Sequence, residues 1–155
     1  IYISMQITVP DKFGLVLAVI MLFWVQQAVI FVIPVVTQRG STGIKPPVLY
    51  PNDSLIKELK LSPESVDAYM RSQRVHQNNI EFLVPFLPVF LIAGLFNAEH
   101  AAIAGFAVWV GRLVSALGYW RSAEARSYGA WFHIPELYCV YLAGQHVYNL
   151  VTPLM

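Results

Sequence analysis

Charge is scarce in this chain. Of 155 residues only 12% are Asp, Glu, Lys or Arg, where a soluble domain carries about 25%. Hydrophobic residues make up 57%, and the mean hydropathy is +0.56. That balance excludes a soluble domain with a solvated surface, and it excludes intrinsic disorder. Neither sign dominates: ten basic residues stand against nine acidic ones, so the chain has no nucleic-acid footprint and no acidic tail. Cysteine is limited to Cys139, which rules out an internal disulfide framework and a multi-Cys metal site. The four histidines are scattered, and His133-Ile134-Pro135-Glu136 lacks the second histidine of a zinc helix, so no metal is expected. Glycine-rich nucleotide loops are missing as well.

What is present is a set of long apolar runs. Ten of the 19 charged residues fall between Arg39 and Arg74, and none between Phe13 and Gln38. A membrane span needs about 20 apolar residues, so that run suffices alone. It exceeds the roughly 7–15 residues of a secretory h-region and is followed by no small-residue cleavage site, so it reads as a retained helix. The sequence starts on Ile1 rather than Met, which leaves room for a preceding segment. Three more runs follow: Phe82–Ala98, Ala101–Trp120 interrupted by Arg112, and Tyr128–Leu154 interrupted by Glu136 and two histidines. The expectation is an all-α, integral membrane four-helix bundle, one domain over 1–155, with spans near 13–37, 78–97, 101–121 and 127–151.

The first loop has turn chemistry of its own. Arg39-Gly40-Ser41-Thr42-Gly43 stops the first helix, and Pro46-Pro47 and Tyr50-Pro51-Asn52-Asp53 are extended or turning. Ser62-Pro63-Glu64 reads as an N-cap with Pro at the first helical position, opening a helix that runs through Arg74 into the second span. Lys and Arg concentrate in loops one and three, and the second loop has none. The positive-inside rule puts those two loops in the cytosol and both termini on the opposite side.

Ionisable groups within a span cost about 2.5–3.5 kcal/mol each on insertion scales, so each needs a reason. Arg74, Asn78 and Glu81 sit at i, i+4 and i+7 and share one helix face, with Gln77 and Arg71 beside it. A guanidinium grips carboxylates in bidentate fashion and a carboxylate grips an ammonium, so the stripe suits a small zwitterion such as a peptide. The competing reading is an inter-helix polar seam in which Arg74 and Glu81 neutralise each other. Arg112 and Tyr119 share a face of the third span. Glu136 falls at a depth similar to Arg112, which suggests a buried structural pair, although a ligand role for Arg112 stays open. Arg126 reads alone as a boundary anchor, or functionally as the cation that lowers a thiol pKa. Cys139, mid-span, reads as inert packing. The four tryptophans read as lipid-facing, packing or interfacial aromatics.

The run Arg74-Val75-His76-Gln77-Asn78-Asn79-Ile80-Glu81 closely resembles the R-A-H-Q-N-x-x-E signature of the MAPEG family, the membrane-associated proteins in eicosanoid and glutathione metabolism. Val110-Gly111-Arg112, Gly118-Tyr119 and Ala125-Arg126-Ser127 match in order, so the resemblance covers Phe13 to Leu150. It is nearest the third type of microsomal glutathione transferase, with leukotriene C synthase close behind. The resemblance implies a homotrimer in the endoplasmic reticulum or nuclear envelope, binding glutathione at subunit interfaces on the cytosolic side. Arg74, Asn78, Glu81, Arg112 and Tyr119 would bind glutathione, and Arg126, from the neighbouring protomer, would hold its thiolate. His76, at a position that bears an amide in leukotriene C synthase, would contact glutathione as well. Arg39 corresponds to a first-helix Arg that assists glutathione binding or polarises the electrophile.

The resemblance further implies conjugation of glutathione to lipophilic electrophiles such as lipid epoxides, with peroxidase activity on lipid hydroperoxides as a companion. Ser115 and Phe82 stand where leukotriene C synthase has Tyr. Gln77 replaces an Arg of the prostaglandin E synthase branch, whereas Ser127 is shared with it. Two alternatives follow, a prostaglandin isomerase and a non-catalytic lipid-presenting protein of the 5-lipoxygenase-activating type. The presence of Arg126 favours catalysis over the latter.

Overall fold

The computed structural model describes residues 9–154, and every regular element in it is helical. The terminal residues 1–8 and 155, included in the expected domain, lie outside the described residues. Helix α1 spans Phe13–Thr42 and ends on Gly43, whose positive φ of 74° closes the helix as only glycine does readily. A short α2, Asp53–Glu58, follows in the loop, capped by the Asn52 side chain. Helix α3 runs over Pro63–Phe96. Its N-cap is the expected Ser62, whose Oγ accepts from the Ser65 amide at 3.2 Å. Asn97 ends α3 and caps α4, Ala98–Arg121. A nine-residue 3₁₀ segment, Glu124–Phe132, precedes α5, His133–Val151.

Helices α1, α3, α4 and α5 form the membrane bundle. Among the described residues, three helices (α1, α3 and α4) are long and apolar enough to cross a bilayer. The fourth, α5, has 19 residues but is diluted by Glu136, Gln145, His146 and Asn149. The core is an aromatic ladder on α3, where Phe82, Phe86 and Phe90 stack at centroid spacings of 5.0 and 5.6 Å. Phe23 of α1 meets Phe86 edge-on at 5.5 Å, a contact worth about 0.5–1.5 kcal/mol beyond its area. Small residues of α4, Ala101, Ala104 and Val108, fill the space between. Cys139 lies in this core, fully buried. Outside, burial is inverted: Val84, Ile103, Ile134 and Leu137 are each at least 65% exposed. A surface that apolar marks a bilayer face rather than a water face.

Two local departures from the sequence reading position the site. Within α1, residues Gln26–Ile30 form a π-turn, with the Phe31 amide donating to the Gln26 carbonyl at 2.9 Å. The wide turn sits just before Pro34, whose ring would press on the carbonyl of residue 30 in a regular helix. The last span was expected to be helical from 127, yet the chain is 3₁₀ up to Phe132. This segment packs backbone against backbone on α4. A Cβ on Gly118 would strike the Ala125 carbonyl, and one on Gly129 would strike the Gly111 carbonyl.

Candidate functional site

At the end of the bundle that carries the first loop, α3, α4 and the 3₁₀ segment enclose a cavity of about 630 Å³. That size lies within the roughly 300–1,000 Å³ of small-molecule sites. Helices α3 and α4 run antiparallel here, so Val75 packs on Ala116 and Asn79 meets Arg112. Arg74, Tyr119 and Arg126 therefore form an outer tier. Glu81, Arg112, Phe132 and His133 form an inner tier roughly 10 Å deeper, seven helical residues at about 1.5 Å each.

Arg74 and Glu81 project from one face of α3, and their nearest side-chain atoms are 4.0 Å apart with both side chains half exposed. A pair so open and so long is not a closed salt bridge; each group keeps most of its hydrogen-bonding capacity. Arg112 is buried against two aromatic rings, its guanidinium carbon 4.5 Å from the Phe82 centroid and 5.2 Å from the Phe132 centroid. Its Nε donates to Asn79 Oδ1 at 3.0 Å, Nη1 to Asn78 Oδ1 at 3.2 Å and Nη2 to the Asn78 carbonyl at 3.1 Å. A guanidinium has five N–H groups, so two are left for the cavity it lines. The expected Arg112–Glu136 pair does not form. Glu136 instead bonds His133 one turn away at 2.6 Å, because Arg112 turns toward α3 and is held there by two asparagines.

Arg126 lies on the 3₁₀ segment over the Tyr119 ring, 6.0 Å from its centroid. Among the described residues no carboxylate lies within 4.0 Å of it. Within this chain it lines the same cavity as Arg74, Glu81 and Tyr119. Ser127 also lines the cavity, but its hydroxyl donates to the Glu124 carbonyl at 2.8 Å. Ser115, where a Tyr was the comparison, lies directly beneath Gly129.

Two expected site residues are not brought to this cavity. Arg39 donates to the Ile44 and Val48 carbonyls at 3.2 and 2.8 Å and stacks over Tyr69, which fastens the first loop onto α1. His76 points away from the Arg74–Glu81 face and contributes its carbonyl to the Gln27 side chain. Gln77 accepts a hydrogen bond from Tyr50 in the loop. Conversely, Phe31, Phe132 and His133 line the cavity without having been assigned to the site. Asn79, fully buried behind Arg112, escaped notice too. Its signal was a second amide beside Asn78 in the polar run 74–81.

Chemically, the cavity presents three guanidinium groups, one carboxylate, an amide and a phenol, with aromatic walls at its deeper end. Among known families, the model described as the MAPEG family matches residues 15–146, most of this chain.

Proposed function

The chain belongs to the MAPEG family, and from that premise we propose that it is a glutathione transferase acting on lipophilic electrophiles such as lipid epoxides. Within the family we put it nearest the third microsomal glutathione transferase and leukotriene C synthase, with peroxidase activity on lipid hydroperoxides. The observation that carries the reading is the convergence of Arg74, Asn78, Glu81, Arg112, Tyr119 and Arg126 on one cavity. Their charges fit the tripeptide. Three cations answer two carboxylates and a thiolate, and one carboxylate answers the single ammonium.

Glutathione supplies the nucleophilic sulfur when bound. Arg74 and Arg112 hold its carboxylates through charge-assisted hydrogen bonds, and Glu81 accepts from its ammonium. Arg126, with no carboxylate beside it, stabilises the thiolate and so raises the fraction of reactive sulfur at neutral pH. The Tyr119 ring beneath the guanidinium orients it. Phe82, Phe132 and the exposed apolar flank of α5 suit an electrophile that arrives from the bilayer. Holding both reactants together then supplies much of the acceleration. We extend the proposal to a homotrimer of single-domain protomers in the endoplasmic reticulum or nuclear envelope, with sites open to the cytosol. In that assembly Arg39 and His76, remote from their own cavity, serve the neighbour's.

The test is an activity panel on the purified protein with glutathione and an aryl halide, a lipid hydroperoxide, a leukotriene epoxide and a prostaglandin endoperoxide. We expect an ultraviolet thiolate band on adding glutathione, together with conjugation of the aryl halide. Absence of both favours the non-catalytic lipid-presenting alternative, and isomerised endoperoxide as the sole product favours the isomerase.

A further inference from the structure

Behind the cavity wall runs a chain of amides. Gln27, on the π-turn of α1, donates from Nε2 to the His76 carbonyl at 3.4 Å and accepts at Oε1 from Asn79 Nδ2 at 2.8 Å. Asn79 in turn accepts from Arg112 Nε at 3.0 Å. The donors all point one way, from Arg112 through Asn79 to Gln27, so one amide orientation fixes the next. Neither end is interchangeable. If the Asn79 amide were flipped, its NH₂ would face a guanidinium, which has no acceptor.

We infer that Gln27 and Asn79 are positioning residues for the proposed glutathione site, holding the Arg112 guanidinium with its two remaining N–H groups turned to the ligand. The inference rests on the glutathione reading. Three observations carry it. Asn79 is fully buried, so no water competes for its amide. Arg112 spends three donors on α3 and reaches no carboxylate within 4.0 Å among the described residues. The π-turn carries Gln26 and Gln27 inward together, Gln26 donating to the Trp109 carbonyl at 3.0 Å on α4 while Gln27 reaches α3. Adjacent residues of a regular helix point about 100° apart, and π-turns recur at functional sites. Arg112 thus keeps two N–H groups for a ligand carboxylate. Its inner-tier place beside Glu81 assigns it the end of the tripeptide where a carboxylate and an ammonium share one carbon.

The test compares two tripeptides on three proteins. Glutathione and 4-aminobutyryl-cysteinyl-glycine differ by the γ-glutamyl α-carboxylate alone. Gln27 is half-buried, so Gln27→Leu is tolerated by the fold, and Gln27→Glu restores the acceptor for Asn79. We expect Gln27→Leu to raise the glutathione Kd about fivefold, the loss that one protein hydrogen bond carries. The decarboxylated peptide should bind Gln27→Leu as it binds the wild type. Gln27→Glu should restore glutathione affinity. Equal weakening of both peptides, or unchanged glutathione affinity in Gln27→Leu, overturns the positioning role while leaving the function intact. Failure of the wild type to bind glutathione at millimolar concentration overturns both.

Discussion

At the end of the bundle where α1 begins, Lys12 Nζ lies 2.6 Å from Glu99, and His100 Nδ1 lies 2.6 Å from the Tyr138 hydroxyl. At the loop end Arg126 has no carboxylate within 4.0 Å among the described residues, and Arg74 and Glu81 only reach 4.0 Å. The first set of polar groups satisfies itself; the second is held apart around a cavity. The contrast separates the two explanations for costly polar groups in a membrane protein. Side chains that close on each other need no ligand, whereas side chains kept open in a shaped space stay available to one, as the proposed function requires.

Substitutions at the two ends should behave accordingly. The largest effect is expected for Arg126→Ala: turnover at saturating glutathione falls about 100-fold or more, the scale seen when one group stabilising a developing or resident anion is lost. Glutathione affinity changes only a few-fold, and the thiolate band disappears. Unchanged turnover would break the contrast at its centre. Next comes Glu81→Gln, which should raise the glutathione Kd about tenfold by removing a charged acceptor, read by calorimetry. Gly129→Ala follows. Its Cβ meets the Gly111 carbonyl and Ser115, and overpacking of this kind costs about 1–3 kcal/mol. A lowered Tm and a parallel loss of turnover would tie the 3₁₀ segment to the placement of Arg126. Smallest is Lys12→Ala. The pair is more than half exposed on both sides, so solvent screens it; Tm should barely move and glutathione affinity not at all.

The sequence displayed much of this through its distribution of charge. The four bundle helices follow from the gaps between charged residues, and Ser62 and Gly43 mark helix ends by known capping chemistry. The stripe Arg74–Asn78–Glu81 was legible because all three residues ride one helix, so their geometry depends on helical period alone. Arg112 was harder. Its partner depends on how α4 is rotated against α3 and α5, and apolar stripes in a membrane bundle fix rotation poorly, since lipid-facing and protein-facing residues look alike. Depth suggested Glu136; rotation supplied Asn78 and Asn79. The π-turn at Gln26 and the 3₁₀ stretch before His133 arise from helix–helix fit and leave only faint traces, an amide pair in an apolar run and glycines on facing surfaces. Arg39 and His76 illustrate a different limit: one chain holds them away from its own cavity, and a family motif gives no register for a neighbour.

Cys139, the chain's single cysteine, is walled into the hydrocarbon core with no exposed surface. On the proposed reading, a catalyst that gathers electrophiles beside a sulfur nucleophile would run the hazard of alkylating itself, and burial of Cys139 would keep the chain's sole sulfhydryl out of reach of that chemistry. Maleimides and mercurials should therefore leave the protein uninhibited, and any label they deposit in the cavity will have reacted with the guest rather than the host.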